Sequence, residues 1–161
     1  MLLLELKKFP THLPYTKNKT KANKFTKLNY QNVYNGKVAK FARAILVDNL
    51  HEYIATELLI QKIKPIKLTK AITIKYTIYT VINHGSINRR DNEIKWTPAT
   101  KGYVPNWDIE NLANLWTKAG NDTLVLKGII PDDNVKYVKG ISYEFVEVKD
   151  FEDRKIVISY E

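Results

Sequence analysis

Residues 108–133 read DIENLANLWTKAGNDTLVLKGIIPDD, a run that joins a helical pattern, a glycine stop and an acidic turn. Asp108 precedes a run suited to a helix, and Glu110 falls near the positive end of its dipole. The pattern predicts a helix from Asp108 to about Ala119, interrupted at Gly120-Asn121 and continued from Asp122 to Lys127. Gly128 suits the residue just past a helix end. Pro131-Asp132-Asp133-Asn134 reads as a turn.

Beyond the turn, Val135 to Val148 reads as a strand, with Val135, Tyr137, Ile141, Tyr143 and Phe145 in one phase. Phe151 to Arg154 is expected to form a hairpin loop. Lys155 to Tyr160 is the closing strand, with Ile156 and Ile158 facing one way. Before residue 108, Ala71 to Ile82 is a strand whose Ile72, Ile74, Tyr76 and Ile78 share a face. Residues 83–107 are irregular. Gly36 to about Gln61 is the clearest helix, with apolar residues from Val38 to Leu58 at three- and four-residue steps, and Pro65 ends it. His51 in this helix is expected at the surface. Residues 10–36 read as a long basic loop, and Leu2 to Phe9 as a first strand. The expected order is strand, helix, strand, helix, strand, strand. The fold class is α+β: a small mixed sheet packed against two helices.

The chain has 161 residues, which suits one domain spanning 1–161 with a real core. It has no cysteine, and its histidines at 12, 51 and 84 lack zinc-ligand spacing. A bound metal is therefore expected to be a hard cation on oxygen ligands. No apolar run approaches the roughly 20 residues that span a bilayer. Met1 to Leu4, followed by Glu5, Lys7 and Lys8, is too short for a signal-peptide core, so a cytoplasmic protein is expected.

The net charge is +9. Residues 1–40 hold nine lysines and one acid, giving +8, whereas residues 108–161 hold seven basic and eleven acidic residues, giving −4. A basic front with an acidic rear suits a polyanion held near a carboxylate-bound metal. Lys17, Lys19, Lys21, Lys24 and Lys27 are interleaved with Tyr15, Phe25, Tyr30 and Tyr34, a mixture suited to phosphate contact and base stacking. Arg89-Arg90 is a plausible phosphate clamp.

Taken singly, Asp108 is a helix cap, and Asp132, Asp133 and Asn134 are turn residues. Together with Lys118 they supply what phosphodiester hydrolysis needs. Carboxylates hold a magnesium ion that keeps several waters, and a lysine faces developing negative charge. Positions two apart on a helix point to different sides. Asp108 and Glu110 therefore converge only if Asp108 lies at or before the cap.

At these residues the chain resembles the RusA-type Holliday-junction resolvases. Asp108-Ile109-Glu110-Asn111 looks like the family's aspartate-x-aspartate-asparagine motif. Lys118, Asp122 and Leu124 look like its middle section, and Gly128 to Asp133 like its last. The resemblance covers roughly residues 105–160. Glu110 replaces the second aspartate. The family lysine falls one turn beyond the second acid, a position held here by Asn114. The spacing from Lys118 to Asp133 instead implies an insertion of about four residues before Lys118, which in a straight helix lies ~12 Å along the axis from Glu110. Either position is open to the family lysine.

The resemblance implies a homodimeric, magnesium-dependent endonuclease, with Mn2+ a possible substitute, resolving four-way DNA junctions in recombination and repair. Small enzymes of this type are often carried by phages. It implies Asp108, Glu110 and Asp133 as metal ligands with Asp132 assisting, Lys118 as a catalytic partner, and Lys17, Lys19, Lys21, Lys24, Lys27, Arg89 and Arg90 on the DNA arms. The alternatives are a magnesium nuclease for other branched or single-stranded DNA, and a junction-binding protein without activity.

Overall fold

The computed structural model describes residues 1–7, 9, 10, 12–14, 25–27, 33, 34, 40–80, 109–149 and 151–161. Alternation in Leu2–Lys7 forms β1, and two short strands, β2 (His12–Pro14) and β3 (Phe25–Lys27), follow. Helix α1 spans Lys40–Ile60, β4 Ile72–Thr80, α2 Ile109–Leu126, β5 Val138–Glu147 and β6 Lys155–Tyr160. Among the described residues the architecture is α+β, with a four-stranded mixed sheet in the order β1-β6-β4-β5 and two helices.

Three expectations need correction. Residues 10–36 are not loop throughout, because β2 and β3 pair antiparallel within them. Phe151 to Arg154 is not a hairpin loop. Phe151–Asp153 is a short 3-10 turn, and β6 lies on the far side of β4 from β5. Residues 135–137 belong to the turn that precedes β5, where the amides of Tyr137 and Val138 both donate to the carbonyl of Asn134 at 2.9 and 2.8 Å.

The central strand β4 explains the layering. Ile72, Ile74, Tyr76 and Ile78 are buried on one face. Their partners Ile156 and Ile158 on β6 lie on the same face, as do Leu4 and Leu6 of β1 beyond them. Tyr76 meets α2, where its hydroxyl donates to Asn121 Oδ1 at 2.7 Å. Trp116 of α2 is buried between Phe9 and Tyr53, with ring centroids 5.4 and 6.2 Å away in edge-on geometry. Burying side chains of this size stabilises by about 1.5–3 kcal/mol each, so this shared layer is the dominant favourable term.

The other sheet face is polar. Lys75 pairs with Glu144 at 2.9 Å, and Thr77 donates to the same carboxylate at 3.0 Å. The hydrogen bond from Lys75, then that from Thr77, holds the Glu144 carboxyl below the usual carboxylate range. Lys7 and Lys155 stand directly opposite each other on β1 and β6. Glu5 bridges the two like charges, at 3.6 and 3.3 Å. No helix among the described residues is long and apolar enough to cross a membrane.

Candidate functional site

Helix α2 is unbroken through Gly120 and Asn121, contrary to the predicted interruption. The glycine answers a packing need instead: a Cβ there would fall 2.4 Å from the Tyr76 hydroxyl oxygen. Continuous helical spacing sets Glu110, Asn114, Lys118 and Asp122 in one i,i+4 stripe. The Lys118 ammonium donates to both oxygens of Asp122, at 3.1 and 3.0 Å. It also stands 5.8 Å from the centre of the Tyr34 ring.

The helix ends in a Schellman motif. Gly128 takes φ 65°, its amide donates to the Val125 carbonyl at 2.9 Å, and the Ile129 amide donates to that of Leu124 at 2.8 Å. Ile129 and Ile130 are then buried, and the Ile129 carbonyl accepts from the Ile66 amide at 2.8 Å. This anchored reversal carries the acidic turn back beside the helix. In the turn, Asp132 accepts from the Asp133 amide with one oxygen and from the Asn134 side chain with the other, both at 2.7 Å. Asp132 therefore builds the turn and leaves the neighbouring side chain to face outward.

Asp133, exposed, lines an open depression of about 430 Å³ together with Asn114, Thr117, Lys118, Asn121, Asp122 and Ile141 of β5. The structure thus brings together Lys118 and Asp133 among the expected site residues, with Asp132 in the adjoining turn. Glu110 lies one helical turn before Asn114, is exposed, and is not part of the lining. Asp108, Lys17, Lys19, Lys21, Lys24, Arg89 and Arg90 lie outside the described residues. Lys27 lies in β3, where its backbone pairs with His12.

His51 is a residue whose place the sequence reading missed. Its side chain is only 20% exposed, and Nε2 stands 4.0 Å from Asp122 Oδ2. Burial pushes its pKa below the ordinary value and Lys118 adds to that, while Asp122 and Asp48 oppose the shift. The available signal was its position four residues from both Val47 and Ala55, which pack inward. Asn121 was also passed over. It is buried and holds the Tyr76 hydroxyl behind the depression.

The donor set is oxygen-rich and free of thiolate, which suits a hard divalent cation. Among the described residues no three acidic or histidine side chains gather into a metal shell. Asp133 has a carboxylate without a hydrogen-bond partner among the described residues, whereas the oxygens of Asp122 and Asp132 are engaged. Comparison with protein-family models, curated proteins and solved structures finds no match to this chain.

Proposed function

We propose that the chain is a magnesium-dependent endonuclease for branched DNA, acting on four-way junctions as a homodimer. One observation carries the reading. Lys118 and Asp133 come from separate parts of the acidic motif set, and they line one depression with Asp122 between them in sequence. Caps and turns of independent structural purpose have no reason to converge on one concave surface.

Asp133 would offer its carboxylate to the metal from this depression, and Asp108 and Glu110 are the further ligands that the motif resemblance implies. When bound, the metal polarises the phosphate and lowers the pKa of an attacking water. Asp132 fixes the backbone that aims Asp133. Lys118, held in place by Asp122, presents positive charge to a phosphate oxygen. The basic residues 17–27 and Arg89-Arg90 would contact the arms, and two sites related by a twofold axis suit paired nicks on opposing strands.

A second reading has its own observation. The unbroken α2 puts Asn114 at the position one turn before Lys118, where an acid would serve a metal, and keeps Glu110 a further turn away. That arrangement favours a junction-binding protein without cleavage activity. Cleavage of a synthetic four-way junction in magnesium, assayed for the wild type and Asp133→Asn, separates the two. The nuclease reading expects cuts by the wild type alone. Binding by both proteins with cleavage by neither leaves the binding reading standing.

A further inference from the structure

Strand β5 has a sheet neighbour on one side only among the described residues. It is ten residues long and contains no proline. Ile141 and Tyr143 are 49% and 41% exposed, and the Tyr143 ring meets Phe145 edge-on at 6.2 Å. Because these residues pair with Ile74, Tyr76 and Ile78 of β4, they lie on the helix-bearing face, where Phe145 touches the core and Ile141 and Tyr143 extend past it. A long apolar edge of this kind is a template for another strand.

We infer that β5 pairs antiparallel with β5 of a second copy about a twofold axis at Tyr143. The sequence of the strand is self-complementary in that register. On the helix-bearing face it reads Lys139, Ile141, Tyr143, Phe145, Glu147: a cation, an apolar residue, a tyrosine, an apolar residue and an anion. Antiparallel pairing sets Lys139 opposite the Glu147 of the other copy, Ile141 opposite Phe145, and Tyr143 opposite itself. Residues directly opposite share a face, so the helices of both copies stay on one side of a continuous sheet.

Neighbouring registers are worse. A slip of two residues one way sets Glu144 against its own copy. The same slip the other way faces Lys139 with Phe145 and Glu147 with Tyr137, so both charge pairs are lost. At the Tyr143 register, Glu144 faces Ser142 and keeps its bond to Lys75. Ile141 lines the depression that holds Lys118 and Asp133. The other copy's Phe145 therefore completes a wall beside each site, which deepens the paired-nick reading by naming the face that relates the two sites.

The test uses the full chain without DNA or magnesium. Sedimentation and light scattering are run on the wild type, Lys139→Glu, Glu147→Lys and the double reversal. Each single change puts two like-charge pairs across the axis and is expected to weaken the dimer by roughly tenfold or more. The double reversal restores opposite charges and should restore dimerisation. The native chain has no cysteine, so Tyr143→Cys should cross-link to a covalent dimer on mild oxidation, and Lys139→Glu should suppress that product. A monomeric wild type, a dimer indifferent to the single reversals, or a double reversal no better than its parts overturns the inference. The nuclease reading stands or falls separately, on cleavage of the junction.

Discussion

The Tyr76 hydroxyl and Gly120 occupy space that only a hydrogen on the glycine leaves open: a Cβ there would lie 2.4 Å from the oxygen and 2.9 Å from Cε1. In an isolated helix, Gly→Ala gains about 1 kcal/mol. Here the methyl must displace a fully buried ring, and overpacking costs about 1–3 kcal/mol. Gly120→Ala is therefore expected to lower stability in urea denaturation. Tyr76→Phe leaves the buried Asn121 Oδ1 without its donor and should cost about 1–3 kcal/mol. An alanine variant more stable than the wild type would show that the ring yields freely.

That contact also shows what the sequence makes legible. Propensity alone marks Gly120-Asn121 as a break, because the approach of Tyr76 from a strand over forty positions earlier leaves no local trace. The Lys155–Tyr160 strand is legible to the residue, since Ile156 and Ile158 alternate between clear boundaries. Its neighbours are not. Alternation fixes which face a strand buries and says nothing of which strand lies beside it, so a short connection passes for a hairpin while β4 stands between β5 and β6. Within the site, the turn and helix carrying Asp133 and Lys118 are legible from motif order. The spacing of His51 from Val47 and Ala55 marks its inward side, but its approach to Asp122 depends on how α1 meets α2, which appears in neither helix alone.

Lys62 supplies a second backbone prediction. It follows α1 with φ 53°, its amide donates to the Leu59 carbonyl, and the Ile63 amide donates to that of Leu58, both at 3.0 Å. This is again a Schellman end, with lysine where glycine is favoured. Lys62→Gly relieves the left-handed strain and should stabilise the fold by roughly 0.5–1 kcal/mol, read as a higher urea midpoint with an unchanged slope.

Neighbouring aspartates should behave differently. Asp132 accepts two hydrogen bonds inside the turn, so Asp132→Ala is expected to lower stability by about 1 kcal/mol. The Asp133 carboxylate accepts none among the described residues, and Asp133→Ala, which keeps the backbone amide, should leave the melting temperature within error of the wild type. Equal losses from the two variants would mean that Asp133 also braces the turn.

His51 predicts a pH dependence. Burial disfavours its charged form, so its folded-state pKa lies below the ordinary value of 6.5. Below pH 6.5 the unfolded chain takes up a proton that the folded chain resists, and stability falls as pH falls through that range. His51→Gln should flatten the melting temperature between about pH 7 and the folded-state pKa of the wild type. An imidazole resonance titrating above 6.5 in the native protein would reverse the sign and refute the assignment.

Among the described residues, β1 has one neighbour in its sheet, and it is β6, more than 140 positions later. Until residues 155–160 are present, Leu4 and Leu6 have no strand to lie beside. A chain emerging residue by residue from a ribosome can cover that segment from the α1 side, where Tyr53 and Gln61 reach its backbone, but its strand edge stays unpaired until those residues are made. Closing a pairing across more than 140 positions is slow compared with forming either helix. The fold therefore depends on a late event, and the period before it is when β1 is most open to chaperone capture or to aggregation with other nascent chains.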